Sequence, residues 1–163
     1  MKEYAAMSGR VEKRLAELGI VIPEAGSPRA NYVPFVNYNG LVFISGQGPR
    51  RDGALVYAGK VGAERTPEEA YEAARICAIN LIAHLKVACD GDLDRVQQVV
   101  RLAGIVNCVP EFDAHPQVIN GASDLICAVF GDAGRHARIA TGTSSLPSQM
   151  TVEIEGCFGI APA

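Results

Sequence analysis

Thr66-Pro67-Glu68-Glu69 constrains this chain more than any other stretch. Thr66 has the side chain of an N-cap, Pro67 fits the first helical position where its missing N–H is no loss, and Glu69 stands where a capping box places its carboxylate. Both glutamates also suit the positive end of a helix dipole. Ala70, Ala74, Cys77, Leu81, Leu85 and Ala88 then recur at helical spacing until Asp90-Gly91. The pattern predicts a helix of about six turns with one face buried. Such a face needs a partner layer, and the flanking sequence supplies candidates with the period of strands.

Upstream, the runs 32–38 and 41–47 flank Asn39-Gly40, the pair that tolerates the two positive φ angles of a type I′ hairpin turn. A further turn at Arg51-Asp52-Gly53 precedes a short predicted strand over 54–58. Downstream, the valine- and isoleucine-rich run 96–109 reads as a strand at least half buried. A helix is predicted over 116–130, with Gly131 behind it, and strands over 137–145 and 151–160, joined around Leu146-Pro147. Near the start, Val11, Leu15 and Leu18 with a following Gly19 predict a short amphipathic helix over 8–18. The order helix, hairpin, strand, helix, strand, helix, strand, strand indicates an α+β fold: a mixed sheet with its helices packed on one face.

The chain has 163 residues, enough for one domain with a proper core, and shows no repeat or linker-like composition shift. We read a single domain over 1–163, with a helical N-terminal extension over 1–28 and the main body over 29–163. Eighteen acidic against fifteen basic residues give a formal charge of −3, with no basic stripe, so a nucleic-acid partner is not expected. No run suits a secretory signal or a membrane span, and the expectation is a soluble, cytoplasmic protein without a membrane partner. Cys77, Cys89, Cys108, Cys127 and Cys157 are widely spread, without C-x-x-C or histidine at metal-ligand spacing. In sequence no cysteine neighbours a histidine or a visible helix start, so they read as reduced core thiols, with a catalytic thiolate as the sharper alternative. Neither a metal nor an organic cofactor is expected.

Several residues have the chemistry of a site. Strand alternation puts Arg138, Ala140 and Gly142 on one face, an arginine whose neighbours are small enough to admit a carboxylate through two parallel hydrogen bonds. The same spacing fits an exposed strand arginine or one paired to a surface acid. Glu153 and Glu155 lie opposite the apolar Val152, Ile154, Gly156 and Phe158. In a partly dry cleft Glu153 has the properties of a general base, and in water it is a solvated acid. Gly46, within Ser45-Gly46-Gln47, allows close approach of a ligand to the backbone, or marks a bulge or a plain strand end. His84 reads as a partly buried helical residue, His115 as a loop residue, and His136 as a neighbour of Arg138 on its own face.

Taken together, these residues resemble a known family. Ala137-Arg138, Leu146-Pro147 eight residues later and Val152-Glu153-Ile154-Glu155 resemble the C-terminal signature of the RidA/YjgF family. Asn31-Tyr32 with Ser45-Gly46-Gln47 resembles its first hairpin, the stretch 66–91 its first helix, and Val118-Ile119-Asn120 the start of its second. The resemblance covers about residues 32–160. It implies a chorismate-mutase-like fold and a homotrimer with clefts between subunits. It also implies hydrolysis of reactive 2-imino acids and enamines, such as 2-aminoacrylate, to 2-oxo acids and ammonia. In that reading Arg138 binds the substrate carboxylate and Glu153 positions water. Tyr32, Gly46 and Asn120 line the cleft, and the backbone N–H of Ala140 reaches a substrate oxygen.

Ala140 stands where the family often has cysteine, and His136 where it often has proline. The stretch 110–118 is longer than usual and the N-terminal helix is extra, features of a longer subgroup that bears an endoribonuclease label. The alternative to a deaminase is a non-enzymatic trimer that binds small carboxylate metabolites, with an endoribonuclease a distant third.

Overall fold

The computed structural model describes residues 9–27 and 30–162. Helix α1 spans Arg10–Glu17, α2 Pro67–Ala88 and α3 His115–Phe130. The strands are β1 (Phe35–Tyr38), β2 (Leu41–Gln47), β3 (Arg50–Arg51), β4 (Ala54–Leu55), β5 (Val96–Asn107), β6 (Ala137–Thr143) and β7 (Val152–Ile160). Five of them form one sheet in the order β1-β2-β7-β5-β6. Only β5 and β6 run parallel, joined through α3, as a crossover between parallel strands demands.

The capping box at Thr66 is complete. Its hydroxyl accepts from the Glu69 N–H at 3.2 Å, and the Glu69 carboxylate accepts from the Thr66 N–H at 2.9 Å. The apolar side of α2, including Cys77, Leu81 and Leu85, is fully buried against Val152, Ile154 and Phe158 of β7 and Val42 of β2. Helix α3 covers β5 and β6 on the same face, so the expected one-sided layering holds.

The hairpin turn adopts φ +52° at Asn39 and +80° at Gly40, as a type I′ turn requires. Its first strand begins at Phe35 rather than Tyr32, because Pro34 has no N–H for the ladder. The strand predicted over 54–58 stops at Leu55, leaving a two-residue ribbon with β3 and an isolated bridge at Ala58.

Helix α1 starts after Gly9; the Ser8 start expected from sequence lies outside the described residues. Its free N–H groups at Arg10 and Val11 donate to the Asp94 carboxylate at 2.8 and 2.9 Å, a cap supplied from across the chain. Val11 and Leu15 join the main core.

Among the described residues, none covers the second sheet face. Val36, Tyr38, Leu41, Phe43 and Ile139 are all exposed large apolar side chains there. Among the described residues no helix is long and apolar enough to cross a membrane.

Candidate functional site

The six residues singled out from sequence fall into two groups of three. Tyr32, Gly46 and Glu153 line one cavity of about 840 Å³, together with Asn80 and His84 of α2 and Met150. Arg138, Asn120 and Ala140 lie elsewhere, at the outer edge of the sheet beneath α3.

In the first group, a bulge in β2 between Ile44 and Gln47 lets the Ser45-Gly46 backbone bow against Glu153 of β7. A Cβ on Gly46 would lie 2.9 Å from the Glu153 carboxyl carbon and 3.1 Å from its Cγ, so only glycine leaves the carboxylate its place. Loss of hydration on burial raises the Glu153 pKa above its ordinary 4.5, and the neighbouring Glu155 charge raises it further. Tyr32 is half exposed at the rim. Asn80 donates to the carbonyls of Gly48 and Arg50 at 3.0 and 3.1 Å, fixing the turn after β2. His84 is buried rather than partly buried, at 4% exposure, its Nδ1 has no hydrogen-bond partner among the described residues, and burial lowers its pKa.

In the second group, Arg138 Nη1 donates to Asn120 Oδ1 at 2.8 Å and to Ser123 Oγ at 3.1 Å. Among the described residues no carboxylate lies within ion-pair distance of the guanidinium, which rules out the surface-acid pairing that sequence left open. Neutral oxygens orient the cation without neutralising it, so its charge is available to an anion. Behind them, the His136 imidazole meets the Gly134 carbonyl through Nδ1 at 2.6 Å and Ser123 Oγ through Nε2 at 3.0 Å. A carbonyl only accepts, so Nδ1 carries the proton. In the neutral ring Nε2 then accepts from Ser123, whose lone pairs face Arg138. Sequence reading missed Ser123, although it lies three residues after Asn120 and so on the same helix face. Ala140 lies two residues along from Arg138 on β6. That strand is the sheet's edge, with unpaired backbone groups on its outer side.

The two groups do not meet within one chain. Arg138 is in register with Leu102 on the helix-covered face, whereas Glu153 is in register with Ile105 on the uncovered one, and β5 lies between β6 and β7. The arginine and the glutamate are therefore not on neighbouring strands. About 10 Å of sheet width separates their strands.

A third cluster corrects the reading of the cysteines and of His115. His115 is no loop residue but the first residue of α3, and its Nε2 lies 3.4 Å from Cys108 Sγ. A cysteine thus does sit beside a histidine at a helix start, because the turn after β5 folds back over Gly142 of β6. A Cβ there would come within 2.8 Å of Cys108 Sγ and 3.0 Å of His115 Cδ2. Among the described residues no group of three His, Cys, Asp or Glu side chains is arranged to hold a metal ion.

This architecture has relatives. A family model described as "YjgF/chorismate mutase-like, putative endoribonuclease" matches residues 12–154. Protein TCP17 of Trypanosoma cruzi is 44% identical over 149 residues, covering 91% of this chain and 92% of that protein. The crystal structure of a protein of unknown function from Agrobacterium tumefaciens superposes with a TM-score of 0.87 at 44% identity, covering 93% of this chain and 92% of the other. A Shewanella oneidensis structure carrying the same endoribonuclease description superposes at 0.89 with 36% identity, over 93% and 100%. The residues that resembled the RidA/YjgF signature therefore sit in the matching fold, and the chain belongs to the YjgF/chorismate-mutase-like family.

Proposed function

We propose that this chain hydrolyses small 2-imino acids or enamines to 2-oxo acids and ammonia, in clefts between the subunits of a homotrimer. The observation that carries the reading is Arg138, a cation held by Asn120 and Ser123 with no acid among the described residues to neutralise it. A planar carboxylate is the ligand that a guanidinium so presented binds best. The C=N carbon of an imine is already electrophilic, so its hydrolysis needs chiefly orientation and a placed water.

Glu153 suits the second task. Burial and the Glu155 charge raise its pKa, which makes the ionised form a better base than an ordinary carboxylate. It takes a proton from water as the oxygen bonds to the imine carbon and the C=N electron pair moves to nitrogen. Returned to nitrogen, that proton gives the neutral carbinolamine; Glu153 then takes its hydroxyl proton as the C=O bond forms and the C–N bond breaks, and passes it to the departing nitrogen, which leaves as ammonia.

Because Arg138 and Glu153 are on opposite faces of one sheet, a cleft holding both takes them from different chains. The uncovered face carrying Val36, Tyr38, Leu41 and Phe43 supports assembly, since exposed apolar patches of this kind are typical of subunit interfaces.

The test is ammonia release from 2-imino acids generated in place by an amino-acid oxidase. The wild type should exceed buffer, and Arg138→Ala should abolish the excess while the trimer persists. A second reading, a trimer that binds small carboxylates without turnover, is favoured by the same arginine, whose setting is complete without Glu153. In that case a 2-oxo acid raises the melting temperature and imine hydrolysis matches buffer. The endoribonuclease description of the relatives ranks last, given the acidic balance of the chain.

A further inference from the structure

A cavity of about 550 Å³ opens over the last turn of β6, on the same face as Arg138 but four residues along. Cys108 and His115 lie in it, with Val109, Pro110 and Phe112 as apolar walls and Lys60 at one side. The Phe112 ring meets the imidazole edge-on, centroids 5.3 Å apart, which limits the rotation of His115. The Lys60 ammonium donates to Asn107 Oδ1 at 3.2 Å and to the Ser144 carbonyl, both neutral, and no carboxylate is within ion-pair distance among the described residues.

A thiol at hydrogen-bond distance from an imidazole, an unneutralised cation and apolar walls together specify one kind of ligand. We propose that Cys108 and His115 form a thiol-addition site for small α,β-unsaturated carbonyl compounds that carry a carboxylate. The carboxylate pairs with Lys60 and the hydrocarbon part lies against Phe112 and Val109. His115 Nε2 takes the Cys108 proton as the sulfur bonds to the β-carbon. The C=C electron pair moves to the α-carbon, which recovers the proton from Nε2. The product is a thioether, and no oxidant or reductant is consumed.

Burial raises the Cys108 pKa, outweighing the lowering effects of the Thr143 backbone contact and the Lys60 charge, so the resting group is a thiol that needs a base. Cys127 and Cys157 are more exposed than Cys108 but have no histidine contact among the described residues, which makes them internal controls. The site is separate from the imine reading, because its sulfur, base and cation are none of the residues assigned there.

The experiment treats the whole protein with trans-3-benzoylacrylate, or with its methyl ester, and follows each cysteine by peptide mass spectrometry. Cys108 should react at least ~10 times faster than Cys127 or Cys157, and His115→Gln should slow it by ~10²-fold, the scale of a general base. Lys60→Met should remove the preference for the acid over its ester. Gly142→Ala, which wedges a methyl group between the pair, should slow Cys108 while the melting temperature reports whether the fold survives. Cys108 labelling no faster than Cys127, or unchanged in His115→Gln, overturns the proposal.

Discussion

Replacing Gly46 with alanine should damage catalysis far more than stability. The new methyl group would sit 2.9 Å from the Glu153 carboxyl carbon, and ordinary contact begins near 3.4 Å. The carbon has to retreat by about half an ångström and the nearer oxygen by more, which puts the base out of line with its water. Misplacing a reacting group by about 1 Å costs on the order of 10²-fold in rate. The clash falls on the flexible end of a side chain rather than on backbone, so unfolding free energy should drop by no more than ~1 kcal/mol, at the low end for overpacking. Two assays on the same preparation decide it: ammonia release from a 2-imino acid at saturation, and thermal melting. A Gly46→Ala enzyme with wild-type kcat would refute the placement of Glu153 as base. A melting temperature lowered by tens of degrees would refute the claim that the glycine serves the site rather than the strand.

Glu153→Gln should abolish turnover yet raise stability at neutral pH. The folded-state pKa is raised above 4.5, so ionisation opposes folding once pH exceeds the unfolded value. The gain over wild type should therefore vanish in melts run below about pH 4, grow as pH rises from the unfolded value toward the folded pKa, and level off above it. Thr66→Ala removes half of the capping box on α2 and should cost about 1 kcal/mol by denaturant titration, with the slope unchanged. Asp94→Ala leaves the Arg10 and Val11 N–H groups uncapped, and proteolysis should then cut the N-terminal helix while the main domain stays intact.

Elements whose ends are signed by local chemistry were legible in the sequence. Thr66 and Glu69, Asn39-Gly40 and the alternation of Val152 to Phe158 each encode a cap, a turn or a face within a few residues. Strand limits set by long-range pairing were less so. Pro34 shortens β1, and β4 ends as soon as its two-residue partner does. The cap of α1 was invisible, because Asp94 lies 83 and 84 residues from the N–H groups it accepts from.

The site followed the same rule. The places of Arg138, Asn120, Glu153 and Gly46 on their strands and helix were legible, since their motifs are local. Ser123, which joins His136 to Arg138, and the contact between Cys108 and His115 were not, since each depends on how α3 settles on β6. That Arg138 and Glu153 face opposite sides of the sheet was also hidden. It depends on β5 inserting between β6 and β7, a matter of sheet order that alternation along a single strand does not reveal.

The most direct test mixes subunits. Arg138→Ala and Glu153→Gln proteins, each inactive alone, are unfolded together, refolded as mixed trimers and assayed for ammonia release. If each cleft draws its arginine from one chain and its glutamate from the next, random assembly at equal amounts restores about a quarter of wild-type activity, because one cleft in four receives both intact residues. Mixed trimers as inactive as their parents would contradict a site shared between chains.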